Sequence, residues 1–141
     1  MSFTEKNFQT LFTKWAKENP PDDTEVYELK VSKGISIPFD AVKEHQEKAL
    51  LQAVNKGLYH KISDSPIYTG MKTRFTKPKP FDALHLRASM AYIVILFYKP
   101  RKKKEMIFIS IHEWLELKKN AVKKSVREKE LKEVADFIVK L

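Results

Sequence analysis

Phe8, Leu11, Phe12 and Trp15 recur at the three- and four-residue spacing of one helix face, and Ser2 with Glu5 has the spacing of a capping box. The chain therefore opens on an amphipathic helix, which the Asn19-Pro20-Pro21-Asp22-Asp23 stretch ends. From Glu25 to Val31 the period drops to two, with Val26, Glu28 and Lys30 alternating with Tyr27, Leu29 and Val31. This pattern predicts a strand with one charged edge or face. A loop through Lys33-Gly34 is closed by Pro38. Residues Phe39 to Lys56 then regain helical spacing through Val42, Ala49, Leu50, Ala53 and Val54, with Gly57 placed to terminate the helix. A short strand over Leu58 to Ile62 is expected next.

Ser63 to Pro80 holds three prolines and a glycine, shows little periodicity, and is made basic by Lys72, Arg74, Lys77 and Lys79; it reads as a surface loop at a binding face. Phe81 to Leu86 and Ala91 to Tyr98 have strand composition and are expected to form an antiparallel hairpin across Arg87-Ala88-Ser89-Met90. The basic turn Lys99-Pro100-Arg101-Lys102-Lys103-Lys104 leads into a strand over Met106 to Ser110. Ser110 with Glu113, and Ser125 with Glu128, have capping-box spacing and predict two helices, the last packing Val126, Val134, Phe137, Ile138 and Leu141. The expected architecture is α+β: one domain over residues 1–141, a mixed sheet flanked by helices.

Composition narrows the function classes. The 141 residues are 43% hydrophobic, with nine Phe and two Trp, enough for one core. There is no cysteine, which excludes a disulfide framework, a thiolate zinc site and a cysteine nucleophile, and suits a reducing interior such as the cytoplasm. The longest apolar run, Ala91 to Tyr98, is far short of the ~20 residues that span a bilayer. Glu5 and Lys6 stand where a signal peptide needs an apolar core, so no membrane partner is expected. With only three glycines there is no phosphate-binding Gly-rich loop, and hence no nucleotide cofactor is expected. Lys plus Arg number 27 against 18 Asp plus Glu, for a net charge of +9, which favours a polyanionic partner.

Candidate chemistry begins at Glu28-Leu29-Lys30. Residues two apart on a strand point the same way, so a carboxylate and an ammonium share one face. The same tripeptide recurs at Glu116-Leu117-Lys118 and Glu130-Leu131-Lys132, but in helical patterns, where positions i and i+2 diverge. Phosphodiester hydrolysis needs hard oxygen ligands for Mg²⁺ and a group that orients the attacking water. Glu28 and Lys30 supply one of each. Asp82, at the start of a predicted strand directly after the basic loop, is the best supplier of a second carboxylate; Asp22, Asp23 and Asp64 are its rivals. His60, His85 and His112 lack the spacing of a helical metal site.

From Tyr27 through Phe97 the chain resembles the RecU-like, phage-type Holliday junction resolvases of the PD-(D/E)xK nuclease superfamily. The resemblance rests on Glu28-Leu29-Lys30, Ile37-Pro38-Phe39, Glu44-His45-Gln46, and Lys79-Pro80-Phe81-Asp82 ahead of an apolar strand. It implies a restriction-endonuclease-like core, a catalytic set of Glu28, Lys30, Asp82 and Gln46, and Mg²⁺ (Mn²⁺ as substitute) held by Glu28, Asp82 and Glu5. It further implies a homodimer placing two sites on the two strands of a symmetric junction. One feature departs from the superfamily pattern. There the aspartate precedes E-x-K, whereas Asp82 follows Glu28 by more than fifty residues, as in a migrated or permuted active site.

The leading expectation is thus a Mg²⁺-dependent, structure-selective DNA endonuclease whose Lys33, His45, Lys72, Arg74, Lys77 and Lys79 contact branched or duplex DNA. The alternative is a non-catalytic nucleic-acid-binding protein on the same fold, with Lys72 to Lys79 and Lys99 to Lys104 carrying the phosphate contacts. A third reading is a basic interaction protein whose charge runs are solvated faces.

Overall fold

A computed structural model of the protein describes residues 2–62 and 81–141. In chain order it contains helix α1 (Glu5–Glu18), strands β1 (Glu25–Ser32) and β2 (Ser36–Pro38), a 3-10 turn (Phe39–Ala41), α2 (Glu44–Asn55), β3 (Leu58–Lys61) and β4 (Ala83–Leu86). Then follow β5 (Met90–Phe97), β6 (Glu105–Ser110), α3 (Ile111–Asn120), β7 (Ser125–Arg127), α4 (Glu128–Val134) and β8 (Phe137–Lys140).

The organising element is β5, whose residues Ala91 to Phe97 are all buried. A strand apolar on both faces needs cover on both, and here each neighbour and each layer is filled. The main sheet runs β1-β5-β6-β8, with β1 parallel to β5 and the other pairs antiparallel. Helix α1 lays Phe8 and Phe12 on one face, against Tyr92, Val94, Leu96, Met106 and Phe108. On the other face Leu50 of α2, Trp114 of α3 and Leu131 of α4 close over Ile93, Ile95, Ile107 and Ile109. A mixed sheet with helices on both faces is the expected α+β class. Two ribbons stand outside the sheet, β2 with β7 and β3 with β4.

Several expectations are corrected. The cap of α1 is Thr4, whose hydroxyl accepts from the Asn7 N–H while Asn7 Oδ1 accepts from the Thr4 N–H at 2.8 Å; Ser2 and Glu5 do not form it. The segment 39–56 is not one helix. Val42 adopts extended backbone and fills the core, and α2 begins only at Glu44. β4 and β5 do not form a hairpin: β4 pairs with β3, while Ala88 N–H donates to Ala53 O and Ser89 N–H to Thr24 O, carrying the chain across to enter β5 beside β1. The final segment is not one helix either. Glu128 follows Arg127 rather than a Ser125 cap, α4 ends at Val134, and Phe137 to Lys140 join β6 as an edge strand. Phe137 stacks on Phe108 at 4.3 Å, and the Asp136 carboxylate accepts from Ser110 N–H at 2.7 Å. The Ser110 cap of α3 is present, accepting from Glu113 N–H.

Gly57 terminates α2 with φ 85°, and a Cβ placed there would sit 2.6 Å from the Leu86 carbonyl oxygen. Gly57→Ala is therefore expected to destabilise the fold by about 1–2 kcal/mol from the left-handed backbone, and further as Leu86 at the end of β4 shifts. A fall in the urea midpoint at unchanged slope is the observable. Among the described residues no helix is long and apolar enough to cross a membrane.

Candidate active site

Strand β1 is an edge of the main sheet, and alternation along it sorts its side chains between two layers. Tyr27, Leu29 and Val31 pack with the α1 layer, and Val26 packs with the opposite one. Glu28 and Lys30 therefore project on the α2 side, in register with Ile93 and Ile95 of β5. Because no strand among the described residues continues the main sheet beyond β1, the pair lies at a sheet edge.

The geometry is tight. Lys30 Nζ stands 3.4 Å from Glu28 Oε1, the lysine side chain 11% exposed and the glutamate 28%. An ammonium this deeply placed requires a counter-charge, and Glu28 is the one in contact with it. Gln46 Nε2 donates to the same Glu28 oxygen at 2.8 Å. The orientation of that amide is fixed locally: Gln46, in the first turn of α2, accepts the Lys43 N–H at 2.9 Å through its Oε1, so its NH₂ turns toward Glu28. Glu28 Oε2 makes no hydrogen bond among the described residues. The result is a carboxylate held through one oxygen by a cation and an amide, with its second oxygen available.

The other candidate residues are distributed differently. His45 and Lys33 are exposed, one in the first turn of α2 and the other in the turn after β1. Glu5 is the first residue of α1, which packs on the opposite face of the sheet, and no hydrogen bond or ion pair joins it to Glu28. Asp82 is exposed and immediately precedes β4, where its carbonyl accepts the Ile62 N–H at 2.8 Å. Asp22 and Asp23 line a cleft of about 400 Å³ with Glu25 and Tyr27 at the start of β1. There Tyr27 O–H donates to Glu25 Oε1 at 2.6 Å; burial first, then that bond, raises the phenol's pKa. Lys72, Arg74, Lys77, Lys79 and Asp64 lie outside the described residues. Among the described residues no group of three or more acidic or histidine side chains could hold a metal ion.

Sequence reasoning missed Glu47. It is 6% exposed and accepts from Trp114 Nε1 at 3.1 Å and from Lys118 Nζ at 3.1 Å, joining α2 to α3. Its signal was present: position 47 is three before Leu50 and seven before Val54, on the apolar face of the helix, where a carboxylate calls for a partner. Compared with protein-family models, curated proteins and solved structures, the chain matches none.

Proposed function

We propose that the protein is a Mg²⁺-dependent DNA endonuclease that acts on branched or duplex DNA in the manner of a junction resolvase. The observation that carries this reading is the convergence of the Glu28 carboxylate and the Lys30 ammonium of β1 with the Gln46 amide of α2 at the sheet edge. The resemblance assigns catalytic roles to the same three residues.

The donor set suits Mg²⁺ in a limited way. This ion keeps several waters and is commonly bound by one or two carboxylates together with substrate phosphate oxygens. Glu28 Oε2 would supply one such ligand and Asp82 enters as a further one on the resemblance alone, whereas Glu5, on the helix packed against the opposite face of the sheet, does not join them. Mg²⁺ held there would polarise the phosphoryl oxygen and acidify a bound water. The chain's own contribution is electrostatic and positional. Lys30 places a positive charge beside the reacting phosphate, where developing negative charge is stabilised most in a site shielded from water. Gln46 holds the Glu28 carboxylate in one orientation, and the Lys43 N–H holds Gln46.

The test is incubation of a labelled four-way junction and a matched linear duplex with Mg²⁺, Mn²⁺ or EDTA, with binding followed in parallel. Cleavage with either metal, lost in EDTA, is the expected outcome, and Asp82→Ala should bind without cutting. Binding of both substrates with no cleavage under any metal would replace this reading with that of a non-catalytic nucleic-acid-binding protein.

A further inference from the structure

Because β1 and β5 are parallel, the carboxyl end of β1 lies beside the β5–β6 turn, where Tyr98 N–H donates to Ser32 O at 2.7 Å. Lys99, Lys102, Lys103 and Lys132 line a cleft of about 450 Å³ there, together with Phe97, Ile107, Glu105 and Glu128. Phe97 and Ile107 belong to the same layer as Ile95, the partner of Lys30, so the cleft opens on the sheet face that bears the Glu28–Lys30 pair. Contacts link the two places. Ile35 O, just past Lys33, accepts the Glu128 N–H at 2.9 Å, and Glu128 Oε1 accepts from Lys99 Nζ at 3.2 Å.

The charges in this region are unevenly compensated. Lys99 and Lys132 share Glu128, and Lys132 also reaches Glu105, but Lys33, Arg101, Lys102, Lys103 and Arg127 have no carboxylate partner among the described residues. Arg101 is, moreover, in a left-handed conformation, φ 62°, at the third position of a turn closed by Lys102 N–H to Lys99 O. Glycine or asparagine suits that backbone better than any long side chain. A cation kept at a strained position in a turn fits a functional demand rather than a folding one.

We propose that this lysine cleft, continued through Arg127 to Lys33, seats the phosphate backbone of the same nucleic-acid strand that enters the Glu28–Lys30 site. The inference rests on the nuclease reading and adds where the substrate runs. Lys99 lies four residues past Ile95, at most about 13 Å along the strand direction. Phosphates recur about every 3.4 Å of axis along one strand of a duplex, so the cleft receives phosphates within about four nucleotides of the scissile one. Several exposed cations spread over one cleft match a repeating polyanion better than a single small anion, which needs converging, buried donors.

The experiment measures junction and duplex affinity of the full chain across a salt series for the parent, Arg101→Gly, and the double variant Lys102→Glu/Lys103→Glu. A control, Lys14→Glu/Lys17→Glu, makes the same change in net charge on the exposed side of α1, across the sheet. The cleft double variant is expected to lower the slope of log affinity against log salt by about 1.8, since each lost phosphate contact removes about 0.9, and Arg101→Gly, in the turn beside the lining lysines, by about 0.9 or less. Arg101→Gly should do so without lowering the melting temperature, which separates lost contact from lost fold. Saturating concentrations of the variants should still cut with Mg²⁺. Should the parent bind and cut while the cleft variants lose no more affinity than the control, the assignment of the cleft is overturned and the nuclease reading stands. Loss of affinity in the cleft variants with no cleavage by any form retains the cleft and removes the nuclease. A parent that binds neither substrate removes both.

Discussion

Glu28→Gln is expected to lower Mg²⁺-supported cleavage of a four-way junction by roughly 100-fold or more, because a carboxylate ligand contributes several kcal/mol to stabilising the transition state and each 1.36 kcal/mol is a factor of ten. The substitution preserves shape. The new amide oxygen can still accept from Gln46 Nε2 and still faces Lys30, so the chain should remain folded and only the charge is lost. Binding gives the sign that separates catalysis from affinity. In EDTA the native carboxylate repels the phosphate it must later serve, so Glu28→Gln should bind the junction as tightly as the parent or more tightly. Lys30→Met, which keeps length and apolar packing at a site only 11% exposed, should also lose cleavage, and here affinity should fall modestly as a cation is removed. Single-turnover rates at saturating protein, beside affinities from the same preparations, give both quantities. Parent-like cleavage by Glu28→Gln would exclude Glu28 as a metal ligand and leave the E-x-K pair as an ion pair of the fold.

That ion pair is also why alanine is the poorer substitution at position 28. It would leave the nearly buried Lys30 ammonium and the Gln46 amide with no acceptor at all, where glutamine still offers them an oxygen, and the lost activity could then reflect lost fold. Gln46 allows a milder test along the same line: Gln46→Ala removes a donor to Glu28 and the acceptor for the Lys43 N–H together, so the first turn of α2 and the carboxylate loosen as one.

How much of this was legible in the sequence depends on whether an element's neighbours are local. β1 was readable because its alternation is strict, and α1 because Phe8, Phe12 and Trp15 keep one face. β5 was found as a strand, but its partners were not. A strand buried on both faces carries no periodic mark of what lies beside it, and its parallel partner β1 is far away in sequence. β8 was mistaken for helix because Val134, Phe137, Ile138 and Leu141 happen to fall at helical spacing. What decides the outcome is tertiary: the edge of β6 is open to pairing, and Phe108 offers Phe137 a ring to stack on. At the candidate site, the shared face of Glu28 and Lys30 followed from strand geometry. The approach of Gln46 followed only from the order of motifs, since no local rule brings a helix N-terminus onto a strand across the eleven residues between Ser32 and Glu44.

The largest stability effect is expected at the residue that reading passed over. Glu47→Ala should destabilise the fold by about 3 kcal/mol, or about 10 °C in Tm for a domain of this size. The carboxylate is 6% exposed and the Trp114 side chain fully buried, so truncation leaves an indole N–H without an acceptor and opens space between α2 and α3. Lys118 contributes less, because its side chain is 42% exposed and its ammonium can turn to water. Glu47→Gln isolates that part: the amide oxygen still accepts from the indole while the ion pair is lost, so the change should stay within about 1 kcal/mol. A double-mutant cycle of Glu47→Ala with Trp114→Phe should show strong coupling, since removing the donor removes the penalty of leaving it unpaired. Urea unfolding of the four proteins supplies the numbers. Near-equal losses for Glu47→Ala and Glu47→Gln would instead assign the contribution to charge, and the Glu47–Trp114 bond would no longer be what fixes α2, and with it Gln46, over the Glu28 carboxylate.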